Sequence, residues 1–441
     1  MIWYFLFFSF SLPFLMYFRR IGSRNIRRVR QRGPMILAIN HPNAFMDPMV
    51  VSWFVSSRRN YYMARGDAFN NPFSNWFLRQ LGLFPIFRSR DGKFADIKKN
   101  LESFKEVYKL LDQNKSIILF VEGLCVQERR LRPVKKGPGR MALSYLDHGG
   151  NPELKILPLG IYYSQPSKKG GDVFFDVGEP ISVAQYLSAF RENPNQGMQQ
   201  LTARIQSEME KVVPSLQHPE NDQIVEQLQE IVKPAFLKEK KLNPSFLRNH
   251  ITYWNYIINK LNQITVAEPG KIEHLRNIIQ NYALSLQSLK LSDESIARLS
   301  KKQKLIRLSE AILLIVGFLP FLFARVISFL SDWTGSVIAK RKVKKREFKG
   351  SFHFTLSSLL LQIIFPIELA LVYCFTQQMW WVWVYGLTKI IAIFYAPRFW
   401  EKTQASRSAL RIFLLKKHQK AGLIDLIYIR NEIFEHLLPF D

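Results

Sequence analysis

The sequence predicts an α/β protein: a mixed, mainly parallel sheet domain, a helical linker region after it, and membrane-embedded helices at both termini. Three observations carry this expectation. Residues 33–215 alternate short apolar runs with amphipathic helical stretches, the pattern of parallel strands joined by helical crossovers. Residues 216–305 keep only the helical period. Apolar runs stand at 1–18 and again at about 311–330, 355–375 and 379–396, each close to the roughly 20 residues that a membrane span needs.

In chain order, residues 1–18 carry no charge and are followed at once by Arg19, Arg20, Arg24, Arg27, Arg28, Arg30 and Arg32. A cleaved leader has its positive charges ahead of the apolar stretch. Residues 1–32 therefore read as a retained anchor with a basic flank, the Arg-rich side facing the cytoplasm. Runs at 35–39, 60–64, 116–121, 154–163 and 173–177 read as buried strands, and 94–111 as a helix with apolar residues at 94, 97, 101, 104, 107, 110 and 111. In the linker, Ile224, Val225, Leu228, Ile231 and Val232 form one helical stripe, and Leu275, Ile278, Ile279, Tyr282, Leu286 and Leu289 another.

Residues 306–400 read as the membrane region. Gly317 and Pro320 interrupt the 311–330 segment, which reads as re-entrant or interfacial. Thr376, Gln377 and Gln378 separate the last two runs into a hairpin at 355–396. Both of its flanks are basic, which places both on the cytoplasmic face. Folding it at Gln377 brings Glu368 and Lys389 to similar depth, where pairing would lower the cost of each charge in lipid. Residues 401–441 read as a basic amphipathic tail.

Composition narrows the function classes. Lys and Arg number 62 against 35 Asp and Glu, a net charge of +27, so an anionic partner or surface is expected. Aromatic residues make up 14%, with 35 Phe, which favours an anionic membrane over nucleic acid. The basic runs flank apolar segments, and no nucleic-acid-binding motif is present. Two cysteines exclude a disulfide framework. Oligomeric state is not legible.

The chemistry-bearing segments begin behind the first strand. Residues 40–48 read Asn-His-Pro-Asn-Ala-Phe-Met-Asp-Pro. His41 is the residue type of a general base near neutral pH, and a carboxylate such as Asp47 can fix its tautomer. Six positions on one helix would set the two about 120° apart, so a tight turn assisted by Pro42 must bring Asp47 back under the ring. A purely structural histidine in a strand-to-helix turn is the competing account of the motif alone. Residues 82–88 are an apolar run ending in Arg88, suited to phosphate. Phe120, Val121, Glu122 and Gly123 precede a basic loop containing Arg129, Arg130, Arg132, Lys135, Lys136 and Arg140. Pro158 lies in a fourth apolar run. Cys125 follows Gly123 with no second base beside it, and the remaining histidines show no ligand spacing, so no metal is expected. No nucleophile elbow or P-loop occurs.

In this order the four segments resemble the four blocks of the glycerophospholipid acyltransferase superfamily, the PlsC-like enzymes, over about residues 33–185. Five residues separate His41 from Asp47 where the family pattern has four, a variant similar to that of glycerol-phosphate acyltransferases with C-terminal hydrophobic segments. Val121 stands where the third block usually has Pro.

The resemblance implies a membrane-bound O-acyltransferase with its catalytic domain on the cytoplasmic face. It implies His41 and Asp47 as catalytic residues. It places Arg88, Glu122, Gly123 and Arg65 at the acceptor, and Lys135, Lys136 and Arg140 at phosphate, donor or headgroups. The donor would be acyl-CoA or acyl carrier protein, with no other cofactor, and the acceptor lysophosphatidate, glycerol-3-phosphate or another lysolipid or amino-lipid. A non-catalytic adaptor on anionic membranes is the reading from a different class.

Overall fold

The computed structural model describes residues 2–55, 59–87, 94–167, 169–301, 303–343, 345–418 and 420–439. The chain forms two compact units: Met1–Ser215 with Val343–Phe352, and Leu216–Lys342 with His353–Asp441.

The first unit is built on eight strands: β1 Arg20–Arg24, β2 Met35–Ile39, β3 Tyr61–Arg65, β4 Leu83–Ile86, β5 Ser116–Phe120, β6 Lys155–Tyr163, β7 Asp172–Val177 and β8 Ile181–Ser182. Its helices are α1 Ile2–Tyr17, α2 Met46–Val55, α3 Pro72–Gln80, α4 Phe94–Asp112, α5 Gly137–Asp147, α6 Leu187–Glu192 and α7 Pro194–Val212. The sheet order is β1-β7-β6-β2-β5-β3-β4, with β8 also on β6. Pairings on β2, β3 and β5 are parallel, while β7 and β8 run antiparallel to β6. All five side chains of β2 are buried, as expected for a central strand covered on both faces. The core on one face joins Ile36, Ile117, Leu119 and Ile156 of the sheet to Leu111, Met141, Leu201 and Ile205 of α4, α5 and α7.

The basic flank of the N-terminus is part of this domain. Residues 20–24 pair in parallel with β7, placing Arg20 opposite Asp172 and Arg24 opposite Asp176. Arg19 and Arg20 grip Asp172 at 2.6 and 2.7 Å, Arg24 pairs with Asp176, and Arg28 with Glu179. Four of the seven arginines of this basic flank thus neutralise acids of the fold. The preceding α1 has 16 residues. Its end is docked: the Phe14 ring lies 5.9 Å from that of Trp53, and the ring of Phe18, just past the helix, 6.0 Å from that of Tyr163.

Burial pushes the Asp172 carboxyl up, but hydrogen bonds from Arg19 and Arg20 outweigh this and hold it at about 2, below its ordinary 3.8. A depressed folded-state value means that the charge stabilises the fold. That contribution is complete above about pH 4 and is lost as pH falls through 2. Asp172→Asn should therefore cost about 2 kcal/mol at neutral pH, read as a lower melting temperature. The gap from wild type should close towards pH 2.

The second unit is helical: α8 Asp222–Ile231, α9 Lys233–Glu239, α10 Leu247–Ala267, α11 Pro269–Ser288, α12 Asp293–Ser300, α13 Leu308–Lys342, α14 Arg346–Thr376, α15 Met379–Lys402, α16 Gln404–His418 and α17 Lys420–Leu437. The first residues of α14 belong to the first unit. The tail read as amphipathic forms α16 and α17. Arg430 of α17 donates to buried Asp293 at 2.8 Å, which also accepts from Tyr282 at 2.7 Å.

Among the described residues, three helices are long and apolar enough to cross a membrane: Leu308–Ile327, Glu347–Thr376 and Met379–Lys402. Gly317 and Pro320 do not break α13, which is one helix of 35 residues. Gly317 instead admits α15. A Cβ there would stand 2.5 Å from the Tyr395 hydroxyl, which donates to the Gly317 carbonyl at 2.9 Å near the turn where Pro320 lacks an N–H. Between α14 and α15 the expected partnership forms: Glu368 pairs with Lys389, whose side chain is almost fully enclosed.

Candidate active site

The site grows from the carboxyl end of β2. Asn40 fastens that end to β6, donating to the Ile161 carbonyl at 3.1 Å and accepting from the Ile161 N–H at 2.7 Å. The chain then turns through residues 41–45, with Ala44 at φ +32°, and enters α2 at Met46. Asp47 thus lies in the first turn of a helix, where the N-terminal dipole favours a carboxylate. The turn does what the six-residue spacing requires: His41 Nδ1 is 2.7 Å from Asp47 Oδ2.

Asp47 is completely buried, and a buried carboxylate needs partners. Its Oδ2 also accepts from the Asn43 N–H at 2.8 Å, and Oδ1 from the Tyr163 hydroxyl at 2.6 Å. Burial, and then the Asp47 charge, push the Tyr163 phenol well above its ordinary value, so it remains a donor. With Nδ1–H directed at Asp47, the lone pair of His41 lies on Nε2. The ring itself is stacked on Phe120, centroids 3.9 Å apart and planes 15° apart.

Glu122 braces this loop. Its Oε2 accepts from the His41 backbone N–H at 2.9 Å and its Oε1 from that of Arg132 at 2.8 Å. It ties the His41 turn to the basic loop after β5. Burial raises the Glu122 carboxyl against the pull of these two N–H groups. Gly123 has φ +65°, with Lys135 Cγ 3.4 Å from where a Cβ would stand. A left-handed residue in close contact is a position for glycine.

The other expected residues are more dispersed. Arg65, at the end of β3, is exposed and ion-paired with Asp67. Lys135, Lys136 and Arg140 are exposed around the start of α5, and none of the four bonds to His41 or Asp47. Arg88 lies outside the described residues. Cys125 accepts a hydrogen bond from the Ala44 N–H at 2.9 Å. Burial first, and then the Asp47 charge, push its thiol up to about 12. A neutral, enclosed thiol is a poor nucleophile, so Cys125→Ser should keep most of the activity in an acyl-transfer assay.

Residues 343–352 return to this unit beside the catalytic turn. Phe348 packs edge-on to Phe45, centroids 5.6 Å apart. Tyr17 donates to the Gly350 carbonyl at 3.2 Å. A Cβ on Gly350 would stand 2.4 Å from the Pro166 carbonyl oxygen, which accepts from Asn43 Nδ2 at 2.9 Å. Asn43, Phe120 and Tyr163 escaped the sequence reading. The available signal was topological: Tyr163 ends β6, parallel to β2 and four residues beyond the register partner of Ile39.

An acyltransferase family model matches residues 20–162. Glycerol-3-phosphate O-acyltransferase 2 of Saccharomyces cerevisiae is 23% identical over 238 residues, covering 54% of this chain and 31% of that protein. Glycerol-3-phosphate O-acyltransferase 1 of the same yeast is 32% identical over 91 residues, covering 21% and 12%. The chain thus spans less than a third of the length of these curated relatives. The crystal structure of the 1-acyl-sn-glycerophosphate (LPA) acyltransferase PlsC from Thermotoga maritima aligns over 46% of this chain and 88% of that one, at 18% identity. The TM-score of that alignment is 0.29.

Proposed function

We propose that residues 20–162, which an acyltransferase family model matches, are a glycerophospholipid acyltransferase domain, and that the protein moves a fatty acyl group from a thioester to a hydroxyl of a glycerol-phosphate acceptor at a membrane surface. The carrying observation is the His41–Asp47 contact at 2.7 Å, with Asp47 held from its other side by Tyr163 and Asn43. His41 Nε2 takes the proton of the acceptor hydroxyl as its oxygen attacks the thioester carbonyl carbon. The tetrahedral intermediate collapses, the C–S bond breaks, and the thiolate recovers the proton from His41. Asp47 favours the imidazolium that exists between those steps.

Glycerol-3-phosphate is the acceptor named in both yeast relatives, which supports it over lysophosphatidate. Acyl-CoA or acyl carrier protein would supply the thioester, and the exposed Lys135, Lys136 and Arg140 offer charge to an anionic donor, phosphate or headgroup. An interfacial α13, with α14 and α15 making the two crossings, is the arrangement that keeps both basic flanks of the 355–396 hairpin on one face. The basic flanks favour the cytoplasmic side for the catalytic unit.

The test offers purified full-length protein glycerol-3-phosphate, lysophosphatidate and other lysolipids, each with acyl-CoA and with acyl carrier protein. Transfer to glycerol-3-phosphate is expected. Binding of anionic vesicles without thioester release from either donor would replace this reading with that of an adaptor.

A further inference from the structure

The second unit carries a side-chain cluster that the acyl-transfer reading does not use. His274 on α11 and Glu432 and His436 on α17 come together although His274 is 158 residues from Glu432. Glu432 and His436 are four positions apart on one helix, which stacks them on a common face. One ligand atom from each of the three lies within 4.8 Å of the others. His274 Nε2 and Glu432 Oε1 are 2.7 Å apart, and the two imidazole rings meet at 74° with centroids 5.5 Å apart.

We propose that His274, Glu432 and His436 bind one divalent late first-row metal ion, with Zn2+ the best match. Two imidazoles and one carboxylate form a donor set of the kind that Zn2+ takes. Bonds of about 2.0–2.1 Å in a tetrahedron put neighbouring ligand atoms about 3.3 Å apart. The His274–Glu432 separation of 2.7 Å is shorter than that and the other two lie within 4.8 Å, so modest side-chain rotations would bring the three atoms to it.

The backbones that carry the ligands are held in place. Ile433 and Leu437 on α17 and Leu275 and Ile279 on α11 are fully buried, and Tyr256 donates to the Leu437 carbonyl at 2.9 Å. A histidine–carboxylate hydrogen bond alone accounts for His274 and Glu432 but gives His436 no task. In the metal-bound form the ion takes the place of the hydrogen between His274 Nε2 and Glu432, and the neutral imidazole carries its N–H on Nδ1 instead. Three protein ligands leave a fourth position for water. The ion clips α11 to α17, a role independent of the acyl-transfer chemistry.

The experiment uses tag-free, full-length protein in detergent, stripped with chelator, desalted, and supplied with Zn2+ or Co2+ at about pH 7.5, where histidine is neutral. The expected result is one ion per chain, a raised melting temperature and visible absorption bands for Co2+. H436Q, which leaves the His274–Glu432 pair intact, and H274Q should both lose the ion. H148Q, at an exposed histidine of the other unit, should retain it. Clearly substoichiometric binding by wild type, or stoichiometric binding that survives in H436Q, overturns the proposal. Either result leaves the acyl-transfer reading untouched, because no activity is measured.

Discussion

His41→Ala should lower the turnover of acyl transfer by about 10²–10⁴-fold, the range for losing a positioned general base. The fold should persist. The buried Asp47 carboxylate keeps its Asn43 and Tyr163 donors, and the space left beside Phe120 opens to solvent, since the His41 side chain is 19% exposed. The informative measurement pairs single-turnover acyl transfer with a melting curve. A rate near wild type with an unchanged melt would remove His41 from the mechanism. Asp47→Asn should also be slow, because an amide no longer enforces the Nδ1–H tautomer.

The second large effect is on both stability and activity. Glu122→Ala leaves the backbone N–H groups of His41 and Arg132 without their acceptors. At about 1–3 kcal/mol for each orphaned buried donor, the loss is about 2–6 kcal/mol. Turnover should fall as well, because the turn that carries His41 loses its tie to the β5 loop. Glu122→Gln retains one oxygen acceptor and should lose about half as much. A melting curve and an acyl-transfer rate on the same preparations check both statements. A Glu122→Ala protein that is inactive but melts with wild type would instead make Glu122 a substrate contact.

Much of the first unit was legible because local pattern and burial agree. The run at 35–39 is β2, 94–111 is α4 within one residue, and the strands expected at 116–121, 154–163 and 173–177 appear nearly at those bounds. The His41–Asp47 partnership was legible because Pro42 and the short spacing left few ways to join them. What stayed hidden depends on distant partners. β1 reads Arg-Ile-Gly-Ser-Arg, with no apolar alternation, and becomes a strand because Asp172 and Asp176 lie opposite its arginines. Tyr163 reaches Asp47 across 116 positions, and Glu122 reaches the His41 N–H across 81. A charged residue that serves as a brace has the same letter as one that greets a substrate. Likewise, His274 shows no ligand until α17 packs beside it.

The strand order also sets a length scale for the ligand. β3 stands two ladders from β2, with β5 between them, and neighbouring strands are about 4.8 Å apart. The strand ends bearing Arg65 and leading to His41 are therefore about 10 Å apart. An arginine arm covers most of such a gap. On the acyl-transfer reading proposed above, a molecule gripped by its phosphate from the β3 end, with a hydroxyl at His41 Nε2, would have to be compact between those two groups. The sheet would then work as a ruler, selecting by the distance from phosphate to hydroxyl and leaving whatever extends beyond the hydroxyl unmeasured.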